Sequence, residues 1–323
     1  MRKLFVAIPL TLLLLSPFTR TAKTWGFYAH KKINRMAVFT LPPELISFYK
    51  AHINYISEHA VDADKRRYAV KNEAAKHYID IDHYGTSPFD SVPVNWKDAI
   101  KKFSEDSLRA YGILPWHIST MCYRLQQSFV NQNLQSILKN SADIGHYIAD
   151  ACVPLHTTMN YNGQYTNQKG IHGFWESRIP ELSADGYSYW TGRATYVERP
   201  IDMAWKLIKS SHMAVDSVLQ FEALLNQKFK SDQKYSFESR GRQTVKVYSK
   251  NYSLQYEKML NGMIEKRMRL AIKHIGNIWY TAWVNAGKPN LKSLNTQSYP
   301  KEEGAPTDSS SAVNNPHLKG HLD

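Results

Sequence analysis

The sequence predicts an all-α fold organised as a single multi-helix domain, and three observations carry that prediction. Apolar residues recur at helical spacing along most of the chain, strand-like alternation is sparse, and no Pro-, Gly- or Ser-rich linker divides residues 25 to 295. The 323 residues, 43% of them hydrophobic, are ample for a core of that kind.

At the start, Arg2 and Lys3 precede the apolar run "LFVAIPLTLLLL", which leads into "SPFTRTAKT". This is the charged, hydrophobic, small-residue order of a secretory signal, and the apolar run is short for a membrane span. Residues 1–24 are therefore expected to be a signal peptide, with the mature protein secreted or periplasmic. No cysteine follows the apolar run, which argues against a lipid anchor.

The first helix is expected in "KKINRMAVFTLPPEL", where Ile33, Met36, Ala37 and Leu41 form one stripe that stops at a Pro-Pro pair. A second, "SLRAYGILPWHISTMCYRLQQSFV", carries Trp116, Ile118, Met121, Leu125 and Phe129 near helical spacing. The longest stretch runs from Asn251 to Pro289. There Leu254, Met259, Met263, Met268, Ile272, Ile275, Trp279 and Trp283 mark a buried face, and Gly287 is the stop. "DIDHYGTSPFDSVPVNW" and "NYNGQYTNQKG" read as loops, although alternation in "HYIDIDHY" also suits a short strand with Asp80 and Asp82 on one face. The basic, Tyr-rich "NQKFKSDQKYSFESRGRQTVKVYSKNYS" reads as an exposed connection between helices, with contact to a polyanion or a membrane surface as the alternative. Residues 296–323 lose apolar periodicity and read as a disordered tail.

The net charge of +13, from 41 basic and 28 acidic residues, favours an anionic partner: a phosphate ester, an acidic lipid surface or nucleic acid. A basic surface facing water explains the same number. Cys122 and Cys152 are the two cysteines. An exported chain can pair them, but both sit in helix-like apolar contexts where a thiol serves as a small hydrophobe, and that reading is preferred.

Four segments concentrate metal-binding side chains. In "ADIGHYIADACVPLHTT", His146 and Asp150 are four apart and share a helix face, and His156 follows after Pro154 turns the chain back. Alone, this stretch reads equally as a core helix with a histidine bonded to an acid. "KGIHGFWESR" places His172 and Glu176 four apart beside Phe174 and Trp175, whose size suggests burial. "EHAVDADKRRYAVKNEAAKHYIDIDHYG" supplies Asp62, Asp64, His77, Asp80, Asp82 and His83. Finally, a mature chain beginning at Trp25 offers its α-amine and own carbonyl oxygen as a five-membered chelate, with His30 in reach to complete it. Neutral imidazoles with carboxylates are usual zinc ligands.

Together these segments resemble the zinc-dependent phospholipase C and single-strand-specific nuclease superfamily. The likeness covers the motifs from Trp25 to Glu176, in the superfamily's order; beyond residue 180 it rests on helical character. It implies an all-helical, exported protein with three Zn2+ ions in a cleft. Carried over residue by residue, Asp62, His77, His146 and Asp150 hold the first ion, and His156, His172 and Glu176 the second. The amine and carbonyl of Trp25 with His30 hold the third, Asp150 bridging first and third. Asp62 is preferred to Asp64 because "AVD" fits the short apolar-acid signature and gives the more usual gap to His77. Asp143 receives no ion and is expected to support its neighbours or to begin a helix.

The implied activity is hydrolysis of a phosphodiester by a zinc-activated water, with Asp62 as the catalytic group that orients or deprotonates it. Glu176 as last ligand resembles the phospholipases, whereas the five-residue gap from Trp25 to His30 resembles the nucleases. The substrate is thus expected to be a phospholipid, with single-stranded DNA or RNA as the alternative and Phe27, Tyr28, Tyr84, Tyr161 and Tyr165 available against a base or a glycerol. A metal-stabilised binding protein without turnover is the third reading.

Overall fold

A computed structural model describes residues 27–297, except 68, 241 and 242. The expected signal segment 1–24, Trp25 and the part of the expected tail from residue 298 lie outside the described residues.

The architecture is all-α. At its centre two helices, Leu114–Val130 and Leu134–Ala151, pack along each other. Pro115 opens the first without sacrificing a needed N–H, and Asn133 caps the second by accepting from the Ser136 backbone N–H at 2.8 Å. The five apolar residues expected to line the Leu114–Val130 helix are all buried in it. The Leu134–Ala151 helix is buried all round from Ser141 to Ala151, so it runs through the core and is no surface helix.

Phe27–Ala37 and Met263–Asn285 cross this pair, and Pro200–His212 closes the side of the Leu114–Val130 helix. Two contacts fix the crossing distances. Tyr49 and Trp279 stack at 4.5 Å, and both reach Ser141, one through its hydroxyl at 2.8 Å and the other through its carbonyl at 3.1 Å. Gly145 lets the first helix approach so closely that a Cβ there would stand 1.9 Å from Asn34 Oδ1. Burying rings such as Trp279 contributes about 1.5–3 kcal/mol each, so this seam is a main source of stability.

Three sequence expectations need correction. The stretch from Asn251 is two helices, Lys250–Met259 and Met263–Asn285, because Asn261 and Gly262 both take positive φ, 49° and 72°. The break resets the helical phase. Leu254 is consequently exposed, and Tyr252 and Tyr256 make the buried face of the first part. "HYIDIDHY" ends in a 3-10 turn, Ile81–Tyr84, in place of a strand. The basic connection contains an antiparallel hairpin, Tyr235–Arg240 against Gln243–Tyr248, anchored where Arg178 Nε donates to the Tyr248 carbonyl at 2.9 Å and its guanidinium holds Glu238. Cys122 and Cys152 are free and buried, and burial pushes both thiols up to about 12, consistent with hydrophobic roles.

Candidate metal centre

The Leu134–Ala151 helix brings His146 and Asp150 to one face, one turn apart, with His146 Nε2 3.2 Å from Asp150 Oδ2. His146 is aimed by its other nitrogen, since Nδ1 donates to the Ala60 carbonyl at 2.9 Å. That bond sets the tautomer and leaves Nε2 free to be a ligand.

His77 follows the 3-10 turn Ala74–Lys76 in an extended run sandwiched between two partners. Ile79 N–H donates to the His156 carbonyl at 2.9 Å, and Leu114 N–H donates to the Tyr78 carbonyl at 3.2 Å. Gly112, at φ 91°, permits the second contact, because a Cβ there would lie 2.1 Å from Tyr78 O. His77 Nδ1 then stands 2.9 Å from Asp150 Oδ2 and 3.0 Å from His146 Nε2.

The fourth member is Asp64. Its Oδ1 lies 3.5 Å from His146 Nε2 and 3.7 Å from His77 Nδ1. This corrects the preference for Asp62. Residues two apart on a helix project about 200° apart, so only one of the two acids in Asp62–Arg66 can face inward. The helix turns Asp62 towards solvent, where His59 Nδ1 at 2.5 Å and Lys65 Nζ at 2.7 Å hold it.

Pro154 ends the long helix as expected, and the 3-10 turn Pro154–Thr157 returns His156 to the same region, its Nδ1 3.9 Å from Asp150 Oδ1. His156 Nδ1 donates to the His77 carbonyl at 2.5 Å, which directs Nε2 to Glu176 Oε2 at 3.4 Å. His172 Nε2 reaches the same carboxylate oxygen at 2.9 Å. The His172–Glu176 spacing is carried by a short helical turn, Ile171–Gly173, running into a π turn, Phe174–Arg178, in place of a regular α-helix. His30, from the first helix, stacks on His146 at 4.0 Å and places Nε2 3.4 Å from Asp150 Oδ1.

Three groups of buried donors are therefore placed to hold metal ions: His77, His146 and Asp150; His156, His172 and Glu176; and His30, Asp64 and His146. All are at least nine-tenths buried. For the first group extended by Asp64, five donor-to-donor separations fall between 2.9 and 3.7 Å. Zinc bonds of about 2.0–2.1 Å in a tetrahedron put ligand atoms roughly 3.3 Å apart. The trio His77, His146 and Asp150, with separations of 2.9, 3.0 and 3.2 Å, fits such an ion. In the second group Glu176 Oε2 is buried with no hydrogen-bond partner among the described residues while facing His156 Nε2 at 3.4 Å and His172 Nε2 at 2.9 Å, which an ion held between them would satisfy.

The electrostatics agree. Burial holds His30 low and pulls His77 down to about 4, so both rings stay neutral, as ligands must. Burial opposes charge on His146 too, yet Asp150 and Asp64 outweigh it and raise that ring. Despite burial, His146 in turn holds Asp64 and Asp150 well below the usual carboxylate range. Two carboxylates facing two imidazoles make a negative site that a cation satisfies, either a proton on His146 or a metal ion.

Other acids noted in the sequence stand apart from these groups. Asp82 accepts from Thr158 Oγ1 at 2.7 Å and from the Met159 N–H at 3.0 Å, and His83 stacks on Tyr111. Burial beside Asp82 raises Asp80 to about 8. Asp143 pairs with Arg66 at 3.0 Å and Lys139 at 2.8 Å, outside the three donor groups. Sequence reasoning missed Glu73, which is buried and accepts from Tyr147 Oη at 2.5 Å and from Lys76, bracing the wall behind His77. Among the proposed aromatic residues, Tyr161 lies 5.9 Å from His172, whereas Tyr165 is exposed and Tyr84 buried. No model of a known protein family matches the chain, and no curated protein matches it significantly.

Proposed function

We propose that this chain is an exported zinc-dependent phosphodiesterase of the phospholipase C and single-strand-specific nuclease type, cleaving a phospholipid headgroup ester. One observation carries the proposal: a buried cluster of imidazoles and carboxylates in which Asp150 turns Oδ2 to His77 and His146 and Oδ1 to His30, with Asp64 beside the same two imidazoles. A carboxylate facing donors on both sides is what a bridge between neighbouring cations requires.

Zinc bound there would polarise a phosphoryl oxygen and acidify a water to near-neutral pKa, about 7. The protein's own groups do the rest. Asp64, in place of Asp62, offers the buried Oδ2 as acceptor for a proton of the attacking water. The backbone carbonyls of Ala60 and His77 keep His146 and His156 in one tautomer and one orientation. His156, His172 and Glu176 form a set of three donors, which leaves room for an oxygen of the substrate. The net charge of +13 supports the second reading, a nuclease on single-stranded DNA or RNA, because a polyanion gains most from it.

The test replaces Asp150 by Asn and measures bound zinc together with hydrolysis of phosphatidylcholine vesicles and of single-stranded DNA, each with a chelator control. Loss of zinc and of one activity supports the reading and names the substrate; undiminished zinc and rate would refute the bridge. For export and the N-terminal chelate, mass spectrometry of secreted protein is expected to find Trp25 first. Any other first residue removes the α-amine from the proposed site.

A further inference from the structure

A cavity of about 570 Å³ opens one layer behind the metal centre, and none of the grouped metal donors lines it. Tyr147 separates the two, packing edge-on against His77 at 5.3 Å on one side and His117 at 4.5 Å on the other. The volume is that of a small-molecule site.

Its lining divides by chemistry. Lys76, Arg109, Arg124 and Arg199 supply positive charge, and no carboxylate is among the residues that line it. Three of these cations are already paired outside the cavity: Lys76 with Glu73, Arg109 with Glu105 at 2.8 Å, and Arg199 with Asp202 at 3.0 Å. Arg124 reaches only the sulfur of Met121, at 3.9 Å, among the described residues. The apolar part is aromatic. Trp96, half-buried, and Trp116 meet at 5.2 Å with a 60° tilt, and Ile113 lies beside them.

A third observation is independent of charge and of apolar surface. His117 is 93% buried by its 7% exposure, it lines the cavity, and its Nε2 has no hydrogen-bond partner among the described residues. A buried nitrogen in that condition is stabilised by a polar atom brought by a ligand. Burial first, with Lys76 nearby, pushes the ring down to about 3, so it meets that atom as a neutral imidazole.

We propose that this cavity binds a small organic anion carrying a flat ring, of the nucleoside monophosphate type, at a site distinct from the metal centre. Arg124, assisted by Arg199, takes the phosphate; the indoles of Trp96 and Trp116 take the ring; His117 Nε2 meets a polar edge. The inference does not rest on the metal-centre reading; because that centre would itself take phosphate, binding to the cavity is read from the arginine variants and from Glu176→Gln.

The probe is adenosine 5′-monophosphate, titrated calorimetrically into the intact, metal-loaded protein at low salt, with inorganic phosphate and adenosine in parallel. In Glu176→Gln the nucleotide is expected to bind with one site per chain, and each half-ligand about ten-fold more weakly, since charged hydrogen bonds contribute about 1.5–3 kcal/mol and ring stacking about 1–3 kcal/mol. Arg124 is exposed, so Arg124→Ala keeps the fold and is expected to weaken nucleotide binding about ten-fold or more. Arg199→Ala, on a different segment, is expected to weaken it in the same direction. Trp190→Ala, an exposed control that does not line the cavity, leaves it unchanged. Glu176→Gln, which disables the metal centre, is expected to retain the nucleotide. Equal affinity for phosphate alone, no loss in either arginine variant, or loss of binding in Glu176→Gln would each overturn the proposal.

Discussion

Replacing Asp64 and Asp62 by asparagine, one at a time, separates the proposed metal ligand from its neighbour two residues away. Asp64 is 5% exposed and faces two imidazole nitrogens at 3.5 and 3.7 Å, whereas Asp62 lies at the surface between His59 and Lys65. Structural zinc contributes about 10–16 kcal/mol in folded small domains, so one of four donors accounts for roughly 3 kcal/mol. At about 1.4 kcal/mol per decade, Asp64→Asn is expected to weaken zinc at that centre roughly 100-fold. Asp62→Asn gives up a partly exposed pair worth about 0–1 kcal/mol of stability and leaves zinc affinity within two-fold, roughly the scale of such surface effects. The assay is competition with a chromophoric chelator, read alongside elemental analysis of dialysed protein. If Asp62→Asn loses the metal and Asp64→Asn keeps it, the inward face of that short helix has been assigned to the wrong acid.

Three further outcomes follow from the packing. Burial disfavours the Glu73 carboxylate, but Lys76, Tyr147 and Arg66 outweigh it and hold the group at about 2. A folded pKa below the unfolded one adds stability above the unfolded value, and that stability is lost as pH falls from about 4.5 towards 2. In metal-free protein, urea midpoints of Glu73→Gln should therefore show a shallower fall over that window than the parent; parallel profiles would dissociate Glu73 from the acid limb. Gly145→Ala should lower stability by about 1–3 kcal/mol through overpacking against Asn34, and it should loosen His30 from His146, seen as a lower Tm and weaker metal binding together. Arg178→Leu removes the donor to Tyr248 and the partner of Glu238, so amide exchange in strands 235–240 and 243–248 should accelerate while the central helices keep their protection.

Much of this was legible because helical spacing is a local property. His146 and Asp150 lie four apart within a strongly apolar run, and that pattern alone dictates a shared, buried face. Pro154 announced the turn that returns His156. The Asp62 and Asp64 choice was not legible, because the phase of a five-residue helix is set by what packs on it, here His146 held to Ala60. The break at Asn261–Gly262 did leave a signal, an Asn-Gly pair, which the longer apolar periodicity on either side obscured. Glu73 gave none. A lone acid between Asn72 and Ala74 becomes meaningful only when Tyr147, from 74 residues away, donates to it. The cavity behind the centre is likewise assembled from Lys76, the start of the Leu114–Val130 helix and Arg199, and no short window contains it.

His77 and Asp150 meet across 73 residues of chain, and His77 and His146 across 69. Any ion gripping these side chains closes loops of that size, as a covalent cross-link would. By the loop-entropy relation for disulfides, closing about 70 residues disfavours the unfolded chain by roughly 4 kcal/mol, a gain independent of the strength of the bonds. The two cysteines are buried apart from that task as free thiols. With an ion bound, the donor cluster would double as the staple of this fold, and a chelator should then act on the protein as a reductant acts on a disulfide-bonded one.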